Sequence, residues 1–164
     1  MYEARPDPFH YIDSPILLDQ SREAVAGLLK APVETVVLVS NASIGVNTVL
    51  RNLQWNDDCK DEIIYFGTIY VGCGRTVDYI VDTRYGKVAG RQISLEYPIE
   101  DAEIVSRFHA AVAASRAEGK RPRICVFDAV SSKPGVRFPF EAMAAACREA
   151  GAVSYTHLTL PTIL

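Results

Sequence analysis

Three polar turns in the chain combine residue types that could hold a flat, anionic ligand. Ser40-Asn41-Ala42-Ser43 follows the apolar run Thr35 to Val39 and precedes Val46, Val49, Leu50 and Leu53 at helical spacing. A turn so placed leaves backbone N–H groups free at a helix start. The helix dipole favours an anion there, and Ser43 can add a hydroxyl. Phosphate is the natural guest, although the plainer role is that Asn41 or Ser43 only caps the helix. The second turn, Gly67 to Gly74, holds Tyr70, an aromatic that either stacks on a flat ligand or simply packs. The third runs from Asp128 to Gly135. There Asp128 follows the apolar stretch Ile124 to Phe127, and its carboxylate either faces the same ligand or caps its own loop through Ser131 or Ser132.

Other chemistries find little support. Cys59, Cys73, Cys125 and Cys147 form no C-x-x-C pair, and only three histidines accompany them, so no metal site is assigned. Cys125 and Cys147 sit in apolar patterns, where cysteine acts as a small hydrophobe. Gly72-Cys73-Gly74 begins like a dinucleotide fingerprint, but the next glycine is Gly86, and no P-loop motif is present. Asn41-Ala42-Ser43 matches a glycosylation sequon at the lip of a buried strand and is not read as one. His10 and His109 have no partner pattern, so no catalytic triad can be assembled.

These turns need a scaffold, and the composition provides for one. With 164 residues and 49% hydrophobic side chains, the chain can build a single compact core. A formal charge of -3 gives no broad positive field, so neither nucleic acid nor an anionic membrane surface is an expected partner. No run approaches the roughly 18 apolar residues of a membrane span. Met1 to Phe9 carries charges and two prolines where a secretory signal would need an apolar stretch. A cytoplasmic location is expected.

Strand and helix patterns alternate. Leu18, Val25, Leu28 and Leu29 predict one face of a helix over residues 19–30, ended by Ala31-Pro32. Thr35 to Val39 reads as a strand buried on both faces. Glu62 to Phe66 predicts a strand. Val77, Ile80 and Val81 predict a helix, and Val88 to Leu95 a weaker strand. Val105, Phe108 and Val112 mark a helix ending near Gly119, and Arg123 to Phe127 predicts the next strand. Phe140, Met143, Ala144 and Cys147 mark a last helix, capped by Gly151. Repeated β-turn-α units predict a doubly wound α/β sheet, in which ligands bind beyond the carboxyl ends of the strands.

The final residues are of another kind. Val153-Ser154-Tyr155-Thr156-His157-Leu158-Thr159-Leu160-Pro161-Thr162 back-translates to GTC TCT TAT ACA CAT CTG ACG CTG CCG ACG, which looks like a transposon-end adapter from sequencing-library preparation. Residues 153–164 are therefore read as an adapter-derived scar, not native sequence, and are set aside from the fold. The alternative is a strand, Val153 to Thr156, with a polar tail.

Two stretches, Val39 to Leu53 and Val126 to Pro139, together with Asp19-Gln20-Ser21-Arg22 and Phe66 to Tyr70 in the same order, carry a resemblance. In them the chain resembles class V aminotransferase-like proteins that use pyridoxal 5'-phosphate, in the branch of isopenicillin N epimerase and fungal hercynylcysteine sulfoxide lyase. The likeness covers roughly Arg5 to Ala152. It implies an incomplete portion of the large domain of a fold type I pyridoxal-phosphate transferase, with a mixed, mostly parallel sheet flanked by helices. Residues 1–152 would be a partial cofactor-binding domain.

Position by position, the resemblance implies that Ala42 and Ser43 bond the cofactor phosphate, that Tyr70 stacks on the pyridine ring, and that Ser131, with Asp128 nearby, borders the ring's hydroxyl edge. It also implies a parent enzyme acting on a small amino-acid-like substrate, with carbon–sulfur cleavage favoured, and usually a homodimer. The family's aspartate for the pyridinium nitrogen and its Schiff-base lysine would both fall beyond Ala152. None of Lys30, Lys60, Lys87, Lys120 and Lys133 has that lysine's context, and Lys133 reads as decoration of a loop. The fragment by itself is therefore expected to be inactive. The competing reading is a small α/β module that binds a phosphorylated metabolite at Ser43 without catalysis.

Overall fold

The computed structural model describes residues 3–131 and 133–158, with residues 157 and 158 described by their backbone only. The chain falls into two units, residues 1–40 and 41–164.

In the first unit a short helical turn, α1 (Pro6–Pro8), leads through a π-helical stretch, Phe9–Asp13, into α2 (Ser14–Leu29). Helix α2 starts five residues earlier than its apolar spacing predicts. The helical backbone is unbroken from Pro6, and Pro15 stands where the π-helical stretch passes into α2. Lys30 ends the helix in the left-handed conformation, φ 52°, one residue ahead of Ala31-Pro32. The stripe read as buried is largely exposed: Leu18, Leu28 and Leu29 face outward, and Ala26 is the one buried residue of the helix.

The strand expected over Thr35 to Val39 does not form. Val33–Thr35 is a 3-10 turn, Val36 is extended, and the residues after it pair with no strand among the described residues. Val37 is 73% exposed. β-Branched side chains keep the backbone extended, but a strand also needs a neighbour to complete its ladder.

The second unit holds the sheet. Its elements are α3 (Ala42–Asn52), β1 (Asp61–Phe66), α4 (Val71–Thr83), β2 (Val88–Ile93), α5 (Asp101–Ala117), β3 (Arg121–Val130), α6 (Phe140–Glu149) and β4 (Val153–Leu158). The strands lie in the order β2-β1-β3-β4, all parallel. Two turns are shorter than expected. Helix α4 begins at Val71, which puts Gly72-Cys73-Gly74 inside its first turn, and β3 runs on to Val130, which puts Asp128 within the strand. The segment set aside at the end forms β4 beside β3, with Val153 opposite Ile124 and Thr156 opposite Phe127. Its Val153, Tyr155 and Thr156 favour an extended backbone, and β3 supplies the ladder.

Period-two alternation divides the sheet between two apolar layers. Ile63, Ile124 and Val126 point to the side packed by Val46 and Leu50 of α3 and Cys73, Val77 and Ile80 of α4. Ile64, Cys125 and Phe127 point to the opposite side, packed by Ile104, Phe108 and Val112 of α5 and Met143 and Cys147 of α6. At the amino ends of the strands, buried Asp61 accepts from Arg121 Nε (2.8 Å) and Asn56 N (2.8 Å), and buried Glu62 accepts from Arg91 Nε (2.8 Å). The chain leaves the central strand β1 through α4 to β2, then crosses by α5 to β3 on the other side. The strand order thus reverses at the carboxyl ends of β1 and β3, where ligands of such sheets bind.

Candidate functional site

The start of α3 is capped by Asn41, whose Oδ1 accepts from the Ile44 N–H at 2.9 Å. Asn41 thus takes the capping role that was open to it and to Ser43. With Asn41 as the cap, the Ala42 and Ser43 N–H groups donate to no protein acceptor among the described residues, and the half-buried Ser43 hydroxyl makes no hydrogen bond there. Two open amides and a hydroxyl at the positive end of an eleven-residue helix form a cradle for an anion.

Two side chains fix α3 against α4. Asn47 Nδ2 donates to the Ser43 carbonyl (2.9 Å) and to Thr76 Oγ1 (3.0 Å), and Thr76 Oγ1 donates in turn to the Gly72 carbonyl (2.9 Å). This brings Gly72 against the cradle. A Cβ on Gly72 would stand 2.9 Å from Tyr70 Cε1 and 3.3 Å from Ser43 Oγ, so the absence of a side chain lets the Tyr70 ring and the Ser43 hydroxyl converge.

Tyr70 is the residue before α4, and its N–H donates to Asp128 Oδ2 at 2.9 Å. The bond ties the start of α4 to the end of β3, with the Asp128 carboxylate at the favourable pole of the helix dipole. The same charge acts on Cys73 in the first turn of α4. Burial, reinforced by Asp128, pushes the Cys73 thiol up to about 11, so it stays protonated near neutral pH and is a poor nucleophile. Cys125 and Cys147 are also buried, as hydrophobes in the other layer.

Ser131 is buried at the end of β3. Its hydroxyl donates to the Pro134 carbonyl and, at 3.3 Å, toward the Val136 carbonyl, so it closes its own loop. Ser132, named with it as a capping partner for Asp128, lies outside the described residues. A groove of about 480 Å³ runs over the carboxyl end of β1, lined by Gly67, Thr68, Ile69, Tyr70, Val71 and Lys133. Among the described residues no group of three or more histidine, cysteine or acidic side chains could hold a metal ion. No helix among them is long and apolar enough to cross a membrane.

Of the residues singled out from sequence, the structure brings Ser43 to Tyr70 and bonds Tyr70 to Asp128; it turns the Ser131 hydroxyl into its own loop. Sequence reasoning passed over four others. Gly72 was visible, but only as part of a failed dinucleotide motif. Asn47 and Thr76 meet through packing that no spacing announces. Lys133 was read as decoration, yet it lines the groove beside Tyr70.

Comparison with known proteins supplies the context. The chain matches no profile of a known protein family. It is 34% identical over 151 residues to an L-cysteine desulfhydrase-like protein of Epichloe uncinata, covering 92% of this chain and 32% of that protein. It is 26% identical over 154 residues to the hercynylcysteine sulfoxide lyase of Schizosaccharomyces pombe, covering 93% of this chain and 36% of that one. The chain therefore spans about a third of the length of the curated relatives it matches.

Among solved structures, the cystine C–S lyase C-DES in complex with cysteine persulfide superposes with a TM-score of 0.65 at 20% identity, over 92% of this chain and 37% of that one. A C-DES mutant with glycine covalently linked to its pyridoxal-phosphate cofactor gives 0.67 at 19% identity, over 99% and 41%. At such identities the likeness is one of fold, and the fold is part of the large domain of a fold type I transferase.

Proposed function

We propose that this chain is a portion of a class V aminotransferase-like protein and that it is the phosphate- and ring-binding part of a pyridoxal-phosphate-dependent enzyme. The parent's reaction would be carbon–sulfur cleavage of an amino-acid-derived substrate. The observation that carries this reading is the cradle: two amides and a hydroxyl at Ala42 and Ser43 that have no partner among the described residues, with the Tyr70 ring held beside them by a glycine that leaves room.

The residues present fit the cofactor. Ala42 and Ser43 would hold its phosphate, Tyr70 would lie against its ring, and Asp128 with Ser131 would border its hydroxyl edge. Asp128 acts there through the Tyr70 amide, fixing where the ring stands. Ser131 acts by holding the loop that forms that edge. The cofactor, when bound, supplies the electron sink, and the protein supplies binding, orientation and electrostatics. Relatives named as desulfhydrase and lyase favour this reading over a non-catalytic module.

The same proposal makes residues 153–164 adapter-derived, with the Schiff-base lysine and the aspartate of the pyridinium nitrogen supplied by parent sequence beyond Ala152. It makes the parent a cytoplasmic homodimer. The test is sulfide release from L-cysteine by a full-length protein carrying residues 1–152. Release that stops when the cofactor is removed, and that this chain alone does not perform, supports the proposal. A full-length protein that binds phosphorylated metabolites at Ser43 but cleaves no carbon–sulfur bond overturns it in favour of the module.

A further inference from the structure

We infer that Asn47 and Thr76 are positioning residues that lock the start of α3 to the start of α4 in one register, so that the Ala42–Ser43 cradle and the Tyr70 ring act as a single rigid site. The inference rests on the cofactor site proposed above and deepens it, because it concerns the coupling between the two halves of that site.

The halves belong to different helices. The Ala42 and Ser43 amides open at the start of α3, while Tyr70 precedes the start of α4. Between the helices pack Val46 and Leu50 on one side and Cys73, Val77 and Ile80 on the other. Apolar burial is non-directional, so it sets how close the helices come more than how far one has slid along the other. Register calls for a bond with a preferred direction.

The facing ladders supply one. Ser43, Asn47 and Arg51 stand four apart on α3, and Gly72 and Thr76 stand four apart on α4, so each set lines one face of its helix. Asn47 bridges them, with Nδ2 2.9 Å from the Ser43 carbonyl and 3.0 Å from Thr76 Oγ1. Buried Thr76 gives its hydroxyl proton to the Gly72 carbonyl at 2.9 Å, which leaves its oxygen to accept from Asn47. On the other side of the amide, Arg51 Nε donates to Asn47 Oδ1 at 3.0 Å. A guanidinium can only donate, so it holds the amide with its oxygen toward Arg51 and its nitrogen toward Ser43 and Thr76.

Donation therefore runs one way, from Arg51 through Asn47 and Thr76 to Gly72. Arg51 is itself held against α4. Its guanidinium carbon lies 4.3 Å from the centroid of the Tyr79 ring, and its carbonyl accepts from Arg84, at the end of α4, at 2.8 Å. A ligand that reaches from cradle to ring gains the full sum of both contacts only when their spacing is preset, since otherwise binding must also order the helices. A ligand confined to one half is indifferent to that spacing.

The experiment measures, by calorimetry on a full-length protein carrying residues 1–152, the binding of pyridoxamine 5'-phosphate, which spans both halves, and of its two pieces, pyridoxamine and inorganic phosphate. Thr76→Val keeps the shape of the side chain and removes the hydroxyl. It should weaken the phosphate ester about tenfold and leave each piece within about twofold of the wild type, and Thr76→Ser should restore the loss. Arg51→Met, which frees the Asn47 amide to turn, should weaken the phosphate ester about threefold and again spare the pieces. Being an exposed change, it decides the case should Thr76→Val not fold. A loss of the same size for either piece, or variants that melt lower yet bind the phosphate ester as the wild type does, would reduce the bridge to a structural role and overturn the inference while leaving the cofactor site intact. A wild type that binds none of the three would overturn the site reading beneath it.

Discussion

At the scale of single residues, the site depends on a position where nothing is present. Gly72 is in the first turn of α4, where alanine would otherwise improve the helix by up to about 1 kcal/mol. An added Cβ would press on Tyr70 Cε1 from 2.9 Å and on Ser43 Oγ from 3.3 Å. Gly72→Ala should therefore leave thermal stability unchanged or slightly raised while weakening cofactor affinity about tenfold. Fluorescence titration beside a melting curve checks both halves.

Cys73 offers a second test at this scale. Its folded pKa of about 11 lies above the ordinary 9.0, so its contribution to stability is intact below pH 9 and is lost as pH rises toward 11. Burial raises Cys125 with the same sign. Urea midpoints should thus fall steadily above pH 9, and Asp128→Asn, which keeps a hydrogen-bond acceptor for Tyr70 but removes the charge, should lessen the Cys73 part of that fall. Midpoints as steep in the variant as in the wild type would assign the shift to burial alone. Ser43 and Tyr70 were legible in the sequence because each borders an apolar strand pattern. The glycine between them gained meaning only from the Asn47–Thr76 contact, which brings two helices together across 29 positions of sequence.

At the scale of elements, the parallel sheet is fastened at its amino ends by buried acids. Asp61→Ala would leave the Asn56 N–H without its acceptor and free Arg121 Nε while the guanidinium keeps Asp58, at a cost of about 1 to 3 kcal/mol measured by urea unfolding. Asp58 joins the same cluster. The Arg121 guanidinium hydrogen-bonded to Asp58 holds its carboxyl below the usual range, so this exposed pair helps the fold above that range and is lost as pH falls through it.

Strand β4 invites a deletion. Removing residues 153–164 would bare the β3 edge from Ile124 to Val130, and the shortened chain should lose cooperativity in a thermal melt and bind more apolar dye. The strands β1 and β3 were legible as short apolar runs bounded by turns. Thr35 to Val39 carried an equally clear run and formed no strand, because residue type sets the readiness to extend but not the presence of a partner.

At the scale of the molecule, the four-stranded order β2-β1-β3-β4 places the reversal point where Tyr70 and Asp128 meet, a placement that alternating patterns foretold only as a class of fold. The first unit presents Ile16, Leu17, Leu18, Leu28 and Leu29 of α2, and Val37, Leu38 and Val39 after it, as exposed apolar side chains. Faces of this kind mark surfaces that associate. The isolated chain should sediment well above its 18.0 kDa monomer mass at micromolar concentration. A monodisperse monomer with a single cooperative melt would contradict that association.

The measurement closest to the centre of this account is the affinity of a full-length protein carrying residues 1–152 for pyridoxal 5'-phosphate and for pyridoxal, which lacks the phosphate, in wild type and Ser43→Ala. The cradle at Ala42 and Ser43 predicts that the substitution weakens binding of the phosphate ester about tenfold and leaves pyridoxal unaffected. Equal losses for the two compounds, or no loss for either, would contradict it.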